Sequence, residues 1–195
     1  MNLPNKLTLL RILLVPVYLV FMYVPAIPYR YTLALVVFIL ASITDALDGH
    51  IARKHNLITT FGKFADPLAD KVLVLAALAA LADLENSPVN GIVVTIVATR
   101  EFMVSGLRLV TAEKGIVVAA GIWGKLKTAF TMVTIVVIQL WLMLEADFAL
   151  FWSMSEDGIV LAALIMRILV WISVLLTVIS GAVYLKGYWK HIDMK

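Results

Sequence analysis

Four aspartates stand in one short stretch of the chain at spacings that suit metal chemistry. Segment 44–71 reads TDALDGHIARKHNLITTFGKFADPLADK and holds Asp45, Asp48, Asp66 and Asp70. The first two are three residues apart and the last two are four apart. Either spacing sets a pair of side chains on one face of a helix. Two helices joined by a short loop would therefore gather four carboxylates. Clustered carboxylates repel one another, and a bound divalent cation removes the repulsion. Oxygen-only ligands point to a hard ion, Mg2+ or Mn2+, rather than zinc. His50 and His55 fall off the carboxylate spacing and read as solvated loop histidines.

The residues between the acids suit a phosphorylated ligand. Gly49 follows Asp48, and Ala52 lies one turn further along the same face. Side chains this small let a ligand approach the backbone, and Arg53 can meet a phosphate there. Gly62 permits a sharp turn. The plainer alternative pairs the aspartates with Arg53, Lys54, Lys63 and Lys71 as interfacial ion pairs. Four carboxylates at two helical spacings, with Gly and Ala interleaved, favour the metal site. An EF-hand loop is absent, and GIWGK at 121–125 lacks the spacing of a Walker A loop.

Helices must position these groups, and the composition says in what solvent. Of 195 residues, 63% are hydrophobic, against about half in a soluble domain. Spanning a bilayer takes about 20 mostly apolar residues. Six apolar stretches occur, at 7–25, 31–50, 68–83, 91–110, 128–145 and 159–186. Alternate connections collect opposite charge. One set holds Lys6, Arg53, Lys54, Lys63, Lys71, Lys114, Lys125, Lys127, Lys186, Lys190 and Lys195. The other holds Asp83, Glu85, Glu145, Asp147, Glu156 and Asp157, with Arg30 as its lone basic residue. Basic ends face the cytoplasm. The expectation is an all-α polytopic membrane protein of six transmembrane helices, both termini cytoplasmic, forming one domain over 1–195. The N-terminus does not read as a cleaved signal, and segment 7–25 reads as a retained first span. With no cysteine in the sequence, disulfides, iron–sulfur ligation and thiol catalysis are excluded.

The run Asp45-x2-Asp48-Gly49-x2-Ala52-Arg53-x8-Gly62-x3-Asp66-x3-Asp70 resembles the complete signature of the CDP-alcohol phosphotransferases. The opening NLPNKLTLLRILLVP and the stretch REFMVSGLRLVTAEKGIVVAAGIWGKLK at 100–127 resemble one branch of that family. That branch condenses CDP-diacylglycerol with sn-glycerol 3-phosphate. The resemblance implies a six-span enzyme of the bacterial cytoplasmic membrane, its active site facing the cytoplasm. It also implies a homodimer, CDP-diacylglycerol, glycerol 3-phosphate and membrane lipids as partners, and no nucleic acid. One or two Mg2+ or Mn2+ ions would be held by Asp45, Asp48 and Asp66, with Asp70 at the edge and acting as general base. Asn5, Thr8, Asp48, Gly49, Ala52, Arg53 and Gly62 would form the nucleotide site. For Asn5, a cap on the first helix is an equal reading.

An acceptor carrying a phosphate dianion needs a basic pocket. Arg100 and Arg108 are eight residues apart on the fourth apolar stretch, about two helical turns, and so lie near one face. Arginine inside an apolar stretch is rare unless it meets a cavity or a partner. Pairing of Arg100 with the adjacent Glu101 is disfavoured, since neighbouring helix residues diverge. Arg100, Arg108 and Lys125 match the branch's glycerol-phosphate site. Lys127 fits it less well, because it also reads as a headgroup anchor. Arg167 fits no motif and reads as an interhelical contact.

Three other readings remain. A different acceptor (inositol phosphate, serine or phosphatidylglycerol) would keep the chemistry. A divalent-cation transporter would need midplane acids and an internal repeat, and neither is evident. A structural subunit would leave the acids without a purpose.

Overall fold

The six apolar stretches become six α-helices in a computed structural model. They are α1 (Leu3–Tyr23), α2 (Arg30–Lys54), α3 (Thr60–Ala82), α4 (Gly91–Glu113), α5 (Ile122–Leu142) and α6 (Glu156–Tyr188). A π-helical turn, Met143–Asp147, extends α5. The structure describes the backbone of residues 3–54, 60–113, 121–151 and 154–188. The side chains of 3–4, 45–54, 60–67, 70 and 112–113 lie outside that description. No strand occurs among the described residues.

The helices pack as two triplets. α1 lies against α2 and α3, and α6 lies against α4 and α5. Contacts of α2 with α5 and of α3 with α4 join the halves. The larger core cluster includes Tyr18, Phe38, Leu73, Leu81, Val97 and Ile135. Polar side chains are buried where α5 meets α6. Thr131 and Ser173 bring their hydroxyl oxygens to 2.7 Å, and Thr177 and Ser180 are fully buried. The outer face of α6 presents Leu161, Leu164, Ile168, Trp171 and Leu175. Small polar residues inside and large apolar ones outside is the pattern of helices packed in lipid. Arg167 is exposed on this outer face.

Among the described residues, three helices are long and apolar enough to cross a membrane: Asn5–Tyr23, Ile122–Asp147 and Glu156–Tyr188. Shorter apolar runs, Arg30–Thr44 and Lys71–Ala82, lie in α2 and α3. Both helices continue beyond these runs into the aspartate segment, to 25 and 23 residues in all. α4 is interrupted by Arg100, Glu101 and Arg108.

The turns at the other end are pinned by side chains. Asp147 Oδ2 accepts from the backbone N–H of Thr32 (2.6 Å) and from its hydroxyl (2.7 Å), satisfying a donor in the first turn of α2. Asn90 Oδ1 accepts from Val93 N–H at 3.1 Å and caps α4. Arg30 donates to the Met22 carbonyl at 3.4 Å, in the last turn of α1.

Candidate active site

The buried face of α1 divides along its length. Asn5, Thr8, Arg11, Val15, Tyr18 and Met22 are all buried, and their spacing of three and four residues traces one helical stripe. Its first half is polar and its second half nearly apolar. The connection to α2 is short, so the two helices run antiparallel. Equal rises counted back from that connection set Thr8 level with residue 45 and Asn5 level with residue 48. The polar half of the stripe therefore stands at the height of Asp45 and Asp48, and Asp66 and Asp70 ride on the first three turns of α3, which also packs on α1. Asn5 lies inside α1 rather than before it, so the helix-cap reading is set aside.

The side chains of Asp45, Asp48, Asp66, Asp70 and Arg53, with Gly49, Ala52 and Gly62, lie outside the described residues, as does all of His55. Their helices do not: the acids ride on the last three turns of α2 and the first three of α3. A set of four carboxylates on adjoining helix ends fits a hard divalent ion.

A cavity of about 470 Å³ opens between α3, α4, α5 and α6. Arg100, Arg108 and Lys125 all line it, with Lys71 on the α3 side. Lys71 directly follows Asp70, so this basic chamber adjoins the aspartate segment through consecutive residues. Among the described residues, Glu101 is the one acid on its wall. Four cations against one carboxylate suit an anionic occupant.

Each arginine is held by named partners. Arg100 is buried; its Nε donates to Ser180 Oγ at 3.1 Å and its Nη1 to Glu101 Oε1 at 3.2 Å. Arg108 is exposed, and its Nη2 donates to Tyr184 Oη at 2.7 Å. The Tyr184 ring lies under both guanidinium groups, 5.4 Å from that of Arg100 and 5.3 Å from that of Arg108. These bonds leave Nη2 of Arg100, and Nε and Nη1 of Arg108, uncommitted among the described residues. Two glycines make the approach possible. A Cβ on Gly181 would sit 3.1 Å from Arg100 Cγ, and one on Gly124 would sit 3.3 Å from Tyr184 Cε2.

Two expectations need correction. Arg100 does pair with Glu101, because its long side chain folds back to reach a carboxylate whose Cα–Cβ bond diverges from its own. Lys127 is not a headgroup anchor. It is buried and ion-paired to Glu101 Oε1, and it does not line the chamber with the other three cations. The sequence reading does not single out Arg11 or Tyr184, and Glu101 enters it only as a disfavoured partner of Arg100. A signal existed for Arg11, a charge deep in an apolar stretch, as it did for Arg100. None existed for Tyr184, since an aromatic near the end of an apolar helix is common.

Comparison with known proteins bears on this arrangement directly. A sequence model of the family described as CDP-alcohol phosphatidyltransferase matches residues 1–179. The chain is 40% identical over 200 residues to a Bacillus subtilis protein named CDP-diacylglycerol–glycerol-3-phosphate 3-phosphatidyltransferase, covering 97% of this chain and 96% of that one. A Rickettsia bellii protein of the same name is 37% identical, with 97% of each chain covered. One from Pseudomonas fluorescens is 35% identical over 80% of this chain and 88% of its own. The match takes in both the aspartate segment and most of the helices that wall the basic chamber, and this chain belongs to the CDP-alcohol phosphatidyltransferase family.

Proposed function

We propose that this protein transfers the phosphatidyl group of CDP-diacylglycerol to sn-glycerol 3-phosphate, giving phosphatidylglycerophosphate and CMP. The observation that carries the reading is the convergence of Arg100, Arg108 and Lys125 on one cavity that Lys71, the residue after Asp70, also lines. A phosphate dianion seated there leaves its glycerol free to extend toward the aspartates. The names carried by the Bacillus and Rickettsia relatives agree with this acceptor.

The chain's own groups divide the work. Asp45, Asp48 and Asp66 would hold one or two divalent ions, Mg2+ or Mn2+, with Asp70 at the edge of the set. When bound, such ions neutralise charge on the diphosphate and on departing CMP. Asn5, Thr8, Gly49, Ala52, Arg53 and Gly62 form the nucleotide site. Arg100, Arg108 and Lys125 hold the acceptor phosphate. Lys127 acts from behind, through Glu101. Asp70 takes the proton of the C1 hydroxyl as its oxygen attacks the β-phosphorus and the bond to CMP breaks. A carboxylate is a weak base for an alcohol, so positioning carries much of the rate.

Six helices crossing the bacterial cytoplasmic membrane would set this site at the cytoplasmic surface, with both termini on that side. The sorting of basic and acidic connections supports that orientation, and the protein works as a homodimer. The purified enzyme in detergent–lipid micelles, given CDP-diacylglycerol and a divalent ion, tests the reaction. CMP release should require glycerol 3-phosphate and should not respond to inositol phosphate, serine or phosphatidylglycerol. Release that ignores glycerol 3-phosphate would overturn the assignment.

A further inference from the structure

Tyr184 does more than support the two arginines. A phenol oxygen carries two lone pairs and one proton. Both lone pairs are in use, one by Arg108 Nη2 at 2.7 Å and the other by the backbone N–H of Gly121 at 3.2 Å. The proton has no acceptor among the described residues, and Tyr184 lines the same chamber as Arg100, Arg108 and Lys125. Accepting two hydrogen bonds, one from a cation, draws electron density from the oxygen and makes its O–H a stronger donor. We infer that the Tyr184 hydroxyl donates directly to a phosphate oxygen of the acceptor, as an uncharged ligand standing between the two guanidinium groups. This rests on the acceptor site proposed above and adds a substrate-binding residue to it.

The setting suits that role. The ring is fixed by the cations that flank it and by Tyr188, whose ring stacks on it at 6.1 Å and 14°. Gly124 leaves space for the ring edge and the hydroxyl, since a Cβ there would lie 3.4 Å from the oxygen. The hydroxyl is thereby presented at a set place and holds that place before the acceptor arrives.

Tyr184→Phe removes the hydroxyl and keeps the ring under both guanidinium groups. KM for glycerol 3-phosphate should rise roughly tenfold or more, as for loss of a hydrogen bond to a charged group, while KM for CDP-diacylglycerol stays within about twofold. A phenol that acted only by holding Arg108 would produce a similar rise, so the deciding measurement is made in an Arg108→Ala background. Direct donation predicts that Tyr184→Phe raises KM for glycerol 3-phosphate again in that background. No further rise there, or no rise in the single variant, overturns the direct contact and leaves the acceptor site standing. An unchanged KM for glycerol 3-phosphate in Arg108→Ala alone overturns the site itself. Tyr184→Trp, which keeps a ring and a donor N–H, provides a second variant if the phenylalanine protein does not fold.

Discussion

Glu101 on α4 and Lys127 on α5 form an ion pair that is largely closed to solvent, with side-chain exposures of 12% and 4%. The same carboxylate oxygen also receives Arg100. Glu101 thus ties two helices together and aims the deepest cation of the chamber. Breaking a buried pair by removing one partner costs about 3–5 kcal/mol in general, and Glu101 is here the shared acceptor of two cations. Glu101→Ala should lower the unfolding temperature sharply. The double variant Glu101→Ala/Lys127→Met should recover much of that loss, as thermal unfolding in detergent would record. A double variant no more stable than the single one would show that the pair is not what holds α4 to α5.

Arg100→Lys keeps the charge and loses the fork. Lysine cannot reach Ser180 Oγ and Glu101 while still presenting a donor to the cavity. KM for glycerol 3-phosphate should rise roughly tenfold or more. Steady-state kinetics with each substrate varied in turn would check it, and an unchanged KM would take Arg100 out of the site.

Gly181 has little room for a side chain. In Gly181→Ala the new methyl would press on Arg100 Cγ from 3.1 Å, and a few-fold fall in kcat/KM for glycerol 3-phosphate is expected. Gly181→Val should do more, approaching about 100-fold if the guanidinium shifts by about 1 Å. A graded response in that order, with KM for CDP-diacylglycerol steady, is the result to look for.

Asp70→Asn should cost about 100- to 10,000-fold in turnover, the usual range for loss of a general base. Binding of CDP-diacylglycerol and divalent ion should survive, because three carboxylates remain. Chelation of the wild-type enzyme should stop CMP release reversibly, with Mg2+ or Mn2+ restoring it. Near-normal turnover in Asp70→Asn would move the base elsewhere.

Arg11 is fully buried on the polar half of the α1 stripe, at about the height of the aspartates. A fixed cation there assists a diphosphate and opposes a metal ion. Arg11→Met should therefore raise KM for CDP-diacylglycerol by roughly tenfold and lower the divalent concentration needed for half-maximal activity. Movement of both values in the same direction would contradict that placement.

How much of this could be read from residues alone follows from what periodicity reports. Apolar runs near the length of a bilayer crossing located all six helices, and the charge at their ends sorted the connections. The start of α3 was not legible. Hydropathy begins near residue 68, yet the helix begins at Thr60, because a helix needs backbone bonding and not apolar side chains. The shared helix face of each aspartate pair, and of Arg100 with Arg108, was legible because spacing on a helix is local, whereas Lys125 joins them from another helix and was indicated by the family resemblance alone. The Tyr184 contacts were not, since they join positions 63 and 76 residues apart in the chain. The Arg100–Glu101 pair was not legible because Cβ directions say little about where a side chain six bonds long ends.

Asp147 reaches across 115 residues to hold the first turn of α2. A helix of 25 residues is about 37 Å long and behaves as a rod. Anchoring one tip fixes the axial register of the other, where Asp45 and Asp48 ride. A carboxylate at the face of the protein remote from the chemistry thereby acts as a stop against sliding, and its loss would be felt as misalignment of catalytic groups that it never touches.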